Sequence, residues 1–129
     1  MSLRCLIVDD NPEFLAAARP RLEQGGLEVV GVASNPADAL RQVQELRPRV
    51  VLVDIDLGAH SGLDLARELA GTDSASLILI STHAESDFAD LIASSPAIGF
   101  IAKAQLSAHA VEDLLGDDSV GAPSGPRDR

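Results

Sequence analysis

Four short polar signals follow four apolar runs, and together they could hold a divalent cation and handle a phosphoryl group. Asp9 and Asp10 follow LRCLIV, and Asp54 follows RVVLV. Ser81 follows SLILI, and Lys103 follows GFIA. Carboxylates suit Mg²⁺, whereas a hydroxyl and an ammonium can donate hydrogen bonds to phosphoryl oxygens. If the runs are parallel strands of one sheet, their carboxyl ends share an edge and the signals meet there.

The acidic signals have several interpretations when each is taken alone. Asp9 and Asp10 favour a cation site only slightly over a solvated loop whose charge suits the next helix N-terminus. Asp54 could be a nucleophile toward phosphorus, a metal ligand or a helix cap. Asp56 comes two residues later. We expect its side chain to face solvent, which leaves its backbone carbonyl as the better ligand.

The polar residues after the last two runs are also ambiguous singly. Ser81 and Thr82 could bond a phosphoryl oxygen or end a strand in a turn. Lys103 is the only lysine beside nine arginines, which favours a function over a surface ammonium. The three histidines lack metal-ligand spacing and are expected at the surface, with His83 on the rim of the pocket.

Apolar runs alternate with helix-period segments, which supplies the elements that position these residues. The predicted strands are 3–8, 29–33, 50–53, 77–80 and 100–102, and the predicted helices are 12–24, 36–46, 61–70, 86–94 and 107–115. Pro20 interrupts the first helix and is expected to kink or shorten it. The pattern predicts an α/β fold, a single doubly wound (βα)5 flavodoxin-like parallel sheet with strand order 2-1-3-4-5.

Composition bounds the class of protein. The 129 residues suit one domain, and their net charge of −10 argues against direct nucleic-acid binding by this chain. Cys5 lies in the first apolar run and is expected to be a buried small residue. Neither a signal peptide nor a membrane-length apolar run is apparent, so we predict a cytoplasmic location and no membrane partner.

The chain changes composition near its end. Residues 117–129 are rich in Gly, Pro, Ser and charge, which is typical of a disordered tail. We therefore predict one domain over 1–116, followed by a disordered C-terminal tail over 117–129.

The order and spacing of the pieces resemble the receiver domain of bacterial two-component response regulators. The matching pieces are LIVDD at 6–10, VLVDIDLGAHSG at 51–62, LILIST at 77–82 and GFIAK at 99–103. Ala104 stands where the family usually has a proline. The KxxL arrangement from Lys103 to Leu106 resembles the LuxR/NarL subfamily.

The resemblance implies a Mg²⁺ site and a phosphoacceptor. Asp54 matches the residue that is phosphorylated, and it also faces the metal. Asp10 matches the direct Mg²⁺ ligand, and Asp9 matches the acid that holds metal-bound water. The backbone carbonyl of Asp56 matches the third protein ligand.

The resemblance also implies a switch. Ser81 matches the switch hydroxyl, and Lys103 matches the lysine that pairs with the phosphoryl group. Phe100 matches the aromatic residue that changes rotamer with the switch, although it lacks the hydroxyl of the commoner tyrosine. Charge-assisted hydrogen bonds to the phosphoryl group would draw the last two strand ends inward and bias a two-state surface.

Several positions depart from the family pattern. Leu57 and Gly58 replace the common Met-Pro pair, and Thr82 replaces the small residue after the switch hydroxyl. A branched side chain at Thr82 would restrict access to the phosphoryl site. The positions of Asp56 and His83 tune dephosphorylation in the family.

These implications predict a phosphorylation-dependent signalling switch in the cytoplasm. A sensor histidine kinase or a phosphotransfer protein would phosphorylate Asp54. The output would be altered protein binding, homodimerisation included, through the face formed by the fourth helix, fifth strand and fifth helix. The chain would not be an enzyme on other substrates, because it would catalyse only its own phosphotransfer and dephosphorylation.

Two other classes remain open from the sequence. A pseudo-receiver would keep the fold as a protein-interaction module without phosphorylation, and failure to bind Mg²⁺ would favour it. A Mg²⁺-dependent phosphohydrolase would use an aspartyl nucleophile with a second acid two residues on, which Asp56 supplies. It would also need a substrate-binding cap, for which the sequence has no insertion.

Overall fold

The computed structural model describes residues 3–58, 60–71, 75–83 and 88–119. The strands are β1 (Leu3–Val8), β2 (Leu27–Ala33), β3 (Val50–Asp54), β4 (Asp56–Leu57), β5 (His60–Ser61), β6 (Ser76–Ser81) and β7 (Gly99–Ala102). The helices are α1 (Pro12–Gln24), α2 (Pro36–Leu46), α3 (Gly62–Ala70), α4 (Ala89–Ala93) and α5 (Ala108–Ser119), with a 3-10 turn at Lys103–Gln105. Five parallel strands form the main sheet in the order β2-β1-β3-β6-β7. Counted within that sheet, this order confirms the predicted doubly wound α/β fold.

The main sheet is buried on both faces, as the unbroken apolar run at 50–53 predicts. Leu52 and Ile80 belong to one core cluster together with residues of α1 and α5. Val53 and Leu79, one residue along each strand, belong to the other cluster, with residues of α2 and α3. Because side chains alternate between the faces of a strand, one aliphatic sequence fills both layers.

Side-chain caps fix where the first two helices begin. Asn11 Oδ1 accepts hydrogen bonds from the N–H groups of Glu13 and Phe14, at 3.0 and 3.3 Å. Asn35 Oδ1 accepts one from the N–H of Asp38, at 2.8 Å. Such caps satisfy backbone donors that a helix start leaves unpaired. They let each helix begin within three residues of the preceding strand.

The first helix is continuous, and Pro20 does not shorten it. It runs on to Gln24 and ends at Gly25, and Gly26 then adopts a left-handed φ of 105°. Leu22, which is fully buried in the core cluster shared with α5, anchors the turn after the proline.

Two helices have other bounds than those predicted. The fourth helix covers only Ala89–Ala93, whereas the prediction was 86–94, of which 86 and 87 lie outside the described residues. The fifth helix runs to Ser119, so the first three residues of the predicted tail are helical. Residues 120–129 lie outside the described residues. None of the helices in the described ranges is long and apolar enough to cross a membrane.

Cys5 lies in the middle of β1 and is fully buried. Burial raises the pKa of its thiol to about 12. This residue is therefore a small apolar member of the core, as expected from its place in the first apolar run.

Candidate functional site

The carboxyl end of β1 presents two acids of different exposure. The Asp9 side chain is fully buried, and its Oδ1 accepts a hydrogen bond from the N–H of Asn11 at 2.8 Å. Its backbone N–H donates to the carbonyl of Ala33 at 2.9 Å, which ties the residue to the end of β2. Asp10 is exposed. One acid is thus held within the sheet edge while its neighbour faces solvent.

Asp54 ends β3 with its carboxylate turned into the same edge. Its side chain is only 6% exposed, and Oδ1 accepts a hydrogen bond from the N–H of Asp56 at 3.2 Å. Burial, and then the charge of Asp9, raise its pKa to about 6, against the opposing effects of the Asp56 N–H and Lys103. The Asp56 side chain faces solvent, as predicted.

Lys103 reaches from the edge strand to the centre of the site. Its side chain is 10% exposed, and Nζ donates a hydrogen bond to Asp54 Oδ2 at 3.1 Å. Nζ also lies 2.5 Å from Asp9 Oδ2, an ion-pair contact without hydrogen-bond direction. Burial alone would lower the pKa of Lys103, but the carboxylates of Asp9 and Asp54 outweigh it and raise that pKa. The ammonium is therefore firmly charged.

The acids converge closely enough to share one divalent cation. Asp9, Asp10 and Asp54 each offer a carboxylate oxygen, and these oxygens all lie within 4.8 Å of one another. The buried Asp9 Oδ2 has no hydrogen-bond partner among the described residues. It is ion-paired with Lys103, so the fit to a cation rests on the ligand set: three converging carboxylates supply only oxygen, which suits a hard cation such as Mg²⁺.

Gly58 makes room for the exposed acid of this set. Its φ of 65° lies in the left-handed region, and a Cβ built there would come within 2.7 Å of Asp10 Oδ2. Asp10 thus occupies space that only a glycine leaves free. The departure from Met-Pro at this position therefore has a structural consequence for the cation cluster.

The Ser81 hydroxyl is bonded to the loop that follows its strand. Ser81 is buried, and its Oγ accepts a hydrogen bond from the N–H of His83 at 3.0 Å and lies 3.4 Å from His83 Nδ1. Thr82 and His83 are exposed, with the His83 ring edge-on to Phe88 at a centroid distance of 5.7 Å. The sequence left a strand-ending turn open as one role of this hydroxyl, and the bond from the N–H of His83 forms such a turn.

Phe100 lies on the neighbouring strand, half-buried, and packs against the core cluster that also contacts Ile92 and Phe88. It lines a groove of about 610 Å³ that continues over Thr82, His83 and Leu114. Thr82, His83 and Phe100 therefore border one groove, whose other walls come from β7, the 3-10 turn and α5.

Two residues near the site were not predicted. The Phe14 ring lies under Lys103, with Nζ 4.5 Å from the ring centroid. Gly62 begins α3 so close to β3 that a Cβ there would fall on the backbone carbonyl of Asp54. Phe14 showed only the periodicity of a core helix position, and Gly62 only the absence of a side chain. Neither signal points to a site.

Comparison with known proteins gives one consistent family. The model for the response regulator receiver domain matches residues 5–114. The transcriptional regulatory protein KdpE of Mycobacterium tuberculosis is 38% identical over 81 residues, covering 63% of this chain and 35% of that protein. A protein-glutamate methylesterase/protein-glutamine glutaminase of Alkalilimnicola ehrlichii is 35% identical over 83 residues, covering 64% and 21%. The chain spans at most about half the length of such curated relatives.

Solved structures agree with this result. A LuxR-family two-component response regulator from Aurantimonas sp. SI85-9A1 is 27% identical, with a TM-score of 0.81. The match covers 91% of this chain and 87% of that one. The predicted likeness to the LuxR/NarL subfamily is thereby confirmed.

Proposed function

The chain belongs to the response regulator receiver domain family, and from this premise we propose that it is a signalling switch phosphorylated on Asp54. The donor is a sensor histidine kinase or a phosphotransfer protein. One observation carries the proposal. Asp54 is one of three converging carboxylates, and its Oδ2 lies 3.1 Å from the Lys103 ammonium.

Phosphoryl transfer would proceed by displacement at phosphorus. A carboxylate oxygen of Asp54 forms the new P–O bond as the P–N bond of a phosphohistidine breaks, and the leaving imidazole takes a proton from solvent. Lys103 then loses its bond to the free carboxylate and pairs with the phosphoryl oxygens. Its raised pKa keeps the ammonium charged through this exchange.

A divalent cation belongs to this proposal because the donor set fits one. Asp10 would hold Mg²⁺ directly and Asp9 through water, together with Asp54 and the backbone carbonyl of Asp56. The positive charge of Mg²⁺ would offset the carboxylates, so that another anion can approach.

The switch would follow from a change of partner at Ser81. Its hydroxyl must leave the N–H of His83 to bond a phosphoryl oxygen, and the loop of Thr82 and His83 would move with it. Phe100 borders the same groove, so a rotamer change there would alter the α4–β7–α5 face. That face also carries the exposed apolar side chain of Leu91, which suits protein binding or homodimerisation.

The proposal is tested by intact mass after incubation with Mg²⁺ and a small-molecule phosphodonor. Wild type should gain one phosphoryl group, and Asp54→Asn or a chelator should abolish the gain. Glu28→Gln is the matched control, because it removes an exposed carboxylate of β2 that is not part of the converging cluster. Absence of any gain, with no Mg²⁺-dependent rise in melting temperature, would make the chain a pseudo-receiver.

The interpretation of the chain as a phosphohydrolase has less support than the proposed switch. The segments that follow Asp9 and Asp54 toward the next helices, 9–11 and 55–61, are too short to form a substrate-binding cap. Turnover of a generic phosphomonoester would nevertheless overturn the switch proposal in favour of an enzyme.

A further inference from the structure

The ammonium of Lys103 is enclosed by three groups. Asp54 Oδ2 and Asp9 Oδ2 lie 3.1 and 2.5 Å from Nζ. The face of the Phe14 ring closes the remaining side, with its centroid 4.5 Å from Nζ. A cation at this distance over an aromatic face is attracted by the ring quadrupole.

We propose that Phe14 is a positioning residue that holds the Lys103 ammonium against Asp54, where an incoming phosphoryl group would meet it. The contact itself stands on the geometry alone. Its consequence for phosphoryl transfer rests on the proposed function.

The ring is fixed by the same loop that fixes the acids. Asn11 donates its N–H to Asp9 Oδ1 at 2.8 Å, and Asn11 Oδ1 accepts from the N–H of Phe14 at 3.3 Å. The Phe14 ring contacts the Lys103 ammonium, and that ammonium contacts Asp9, so the contacts lead back to the first residue. A displacement of Phe14 is therefore transmitted to Lys103 and Asp9 together.

The backbone around Lys103 fixes only the start of its side chain. The lysine begins a single 3-10 turn, closed by a bond from the N–H of Leu106 to its carbonyl at 3.3 Å. Ala104 follows it, and the described residues contain no cis peptide bond. A lysine stem has four rotatable bonds, whose entropy favours an extended side chain in solvent. The ring face restrains the end of that stem, which the backbone turn does not reach.

Ordinary core packing is the competing account of Phe14. The residue is half-buried and packs against the core cluster shared by α1 and α5. A small cavity of about 90 Å³ lies beside it, lined also by Ala17, Lys103 and Leu106. An aliphatic side chain could fill the same space. Only the attraction between the ring face and the ammonium distinguishes a positioning role from simple space filling.

The contact can be read directly because the chain has one lysine. In protein labelled with ¹³C-lysine and free of Mg²⁺, the Lys103 Hε signal should be shifted upfield by the ring current of Phe14. The shift should vanish in Phe14→Leu and persist in Phe14→Tyr, which keeps the ring. An unshifted wild-type signal, or a shift retained in Phe14→Leu, would overturn the proposal.

The consequence is read from the rate of phosphorylation by a small-molecule donor. Phe14→Leu should slow the rate at saturating Mg²⁺ by about 3- to 30-fold, the range expected for loss of a cation–π contact. Phe14→Tyr should restore it. Leu15→Ala is the control, since Leu15 packs on the same cluster but has no contact with Lys103 among the described interactions.

The outcomes separate the two proposals. If wild type takes no phosphoryl group, the proposed function fails, and the lysine spectrum alone decides whether Phe14 positions Lys103. If Phe14→Leu slows transfer no more than Leu15→Ala does, the ring is packing and the inference is wrong. Phe14→Met replaces Phe14→Leu in both measurements if the leucine variant does not fold.

Discussion

At the scale of single residues, Asp54 carries an electrostatic cost in the metal-free protein. Folding raises the pKa of its carboxyl from 3.8 to about 6 through burial and the charge of Asp9. A group whose pKa is raised by folding stabilises the native state only while it is protonated. That contribution is complete below about pH 4 and is lost as the pH rises through about 6.

We predict that Asp54→Asn stabilises the metal-free protein at pH 7.5. The neutral amide avoids a penalty of about 1 to 3 kcal/mol in the free energy of unfolding, one pKa unit being about 1.4 kcal/mol. Urea denaturation in the presence of chelator measures this difference. The same variant should lose less stability than wild type between pH 4 and 6.5.

Asp56→Asn is the control for this prediction, because Asp56 is a neighbouring acid whose side chain faces solvent. Its unfolding free energy at pH 7.5 should stay within about 0.5 kcal/mol of that of wild type, as expected for a surface substitution. An Asp54→Asn variant less stable than wild type at pH 7.5 would contradict the account of the pocket.

Gly58 offers a second test, since its position controls the space around Asp10. Gly58→Ala should weaken Mg²⁺ binding about 10-fold, as expected when support of a metal ligand is disturbed. The new Cβ would lie 2.7 Å from Asp10 Oδ2 and displace that carboxylate. Titration calorimetry with Mg²⁺ measures the change.

Gly26→Ala is a matched control for the backbone. Gly26 also has a left-handed φ, of 105°, but nothing lies within 4 Å of its Cβ position. Both substitutions strain the chain, whereas only the one at Gly58 reaches the cluster. Equal Mg²⁺ affinities for the two variants would show that the contact with Asp10 has no effect.

The sequence predicted the convergence of the acids and Lys103, because each follows an apolar strand and parallel strands end at one edge. It left the Ser81 hydroxyl open between a phosphoryl partner and a strand-ending turn, and the structure shows its bond to the N–H of His83. It could not predict the ring under Lys103, because that contact depends on the rotamers of two residues far apart in the chain.

At the scale of elements, the start of α3 is packed against the end of β3. The N–H of Gly62 donates to the carbonyl of Ile55 at 2.9 Å, and a Cβ at Gly62 would fall on the Asp54 carbonyl. The helix can lie this close to the end of β3 only through a glycine. The position of Asp54 is therefore tied to that of α3.

We predict that Gly62→Ala lowers the free energy of unfolding by about 3 kcal/mol or more, because a backbone overlap cannot be relieved by a rotamer change. Gly71→Ala at the other end of α3 should change it by less than about 1 kcal/mol. Its Cβ would meet only the Glu68 carbonyl, at 3.6 Å. Equal urea midpoints for the two variants would contradict the close approach.

Main-sheet strands and the starts of α1 and α2 were predictable, because long apolar runs and caps such as Asn35 are local signals. The start of α4 has no side-chain cap and was predicted too early. The β4–β5 ribbon was not, since strands of two residues are too short to show alternation. The helix over 12–24 has its predicted bounds, although Pro20 was expected to kink or shorten it. Continuation of α5 to Ser119 escaped prediction. There, tertiary packing and helix propagation outweigh local composition.

At the scale of the whole molecule, the chain is strongly acidic, with a net charge of −10, and three of its carboxylates converge at one sheet edge. We predict that Mg²⁺ at 100 times its dissociation constant stabilises the fold by about 2.7 kcal/mol, since only the native state assembles the site. Thermal unfolding with Mg²⁺ measures the gain, and a chelator should reverse it.

Two comparisons make this prediction specific to the site. Asp10→Asn should greatly reduce the gain, because it removes one of the converging oxygens. A monovalent salt at matched ionic strength should give only a small screening effect. A gain that survives Asp10→Asn would assign the stabilisation to charge screening elsewhere on the surface.

Because Cys5 is fully buried, the rate at which its thiol reacts with a reagent reports opening of the core. Cys5 pairs through its backbone with Val29 on one side and Val50 on the other, and its side chain lies in the core cluster covered by α1 and α5. A thiol reagent can reach this sulfur only when that part of the core opens. Because the chain has a single cysteine, the modification rate reports exposure of this one thiol without an added label. A ligand that binds at the strand ends and stabilises the closed fold should lower the rate of thiol modification. At equal concentration, a ligand of higher affinity should lower it more.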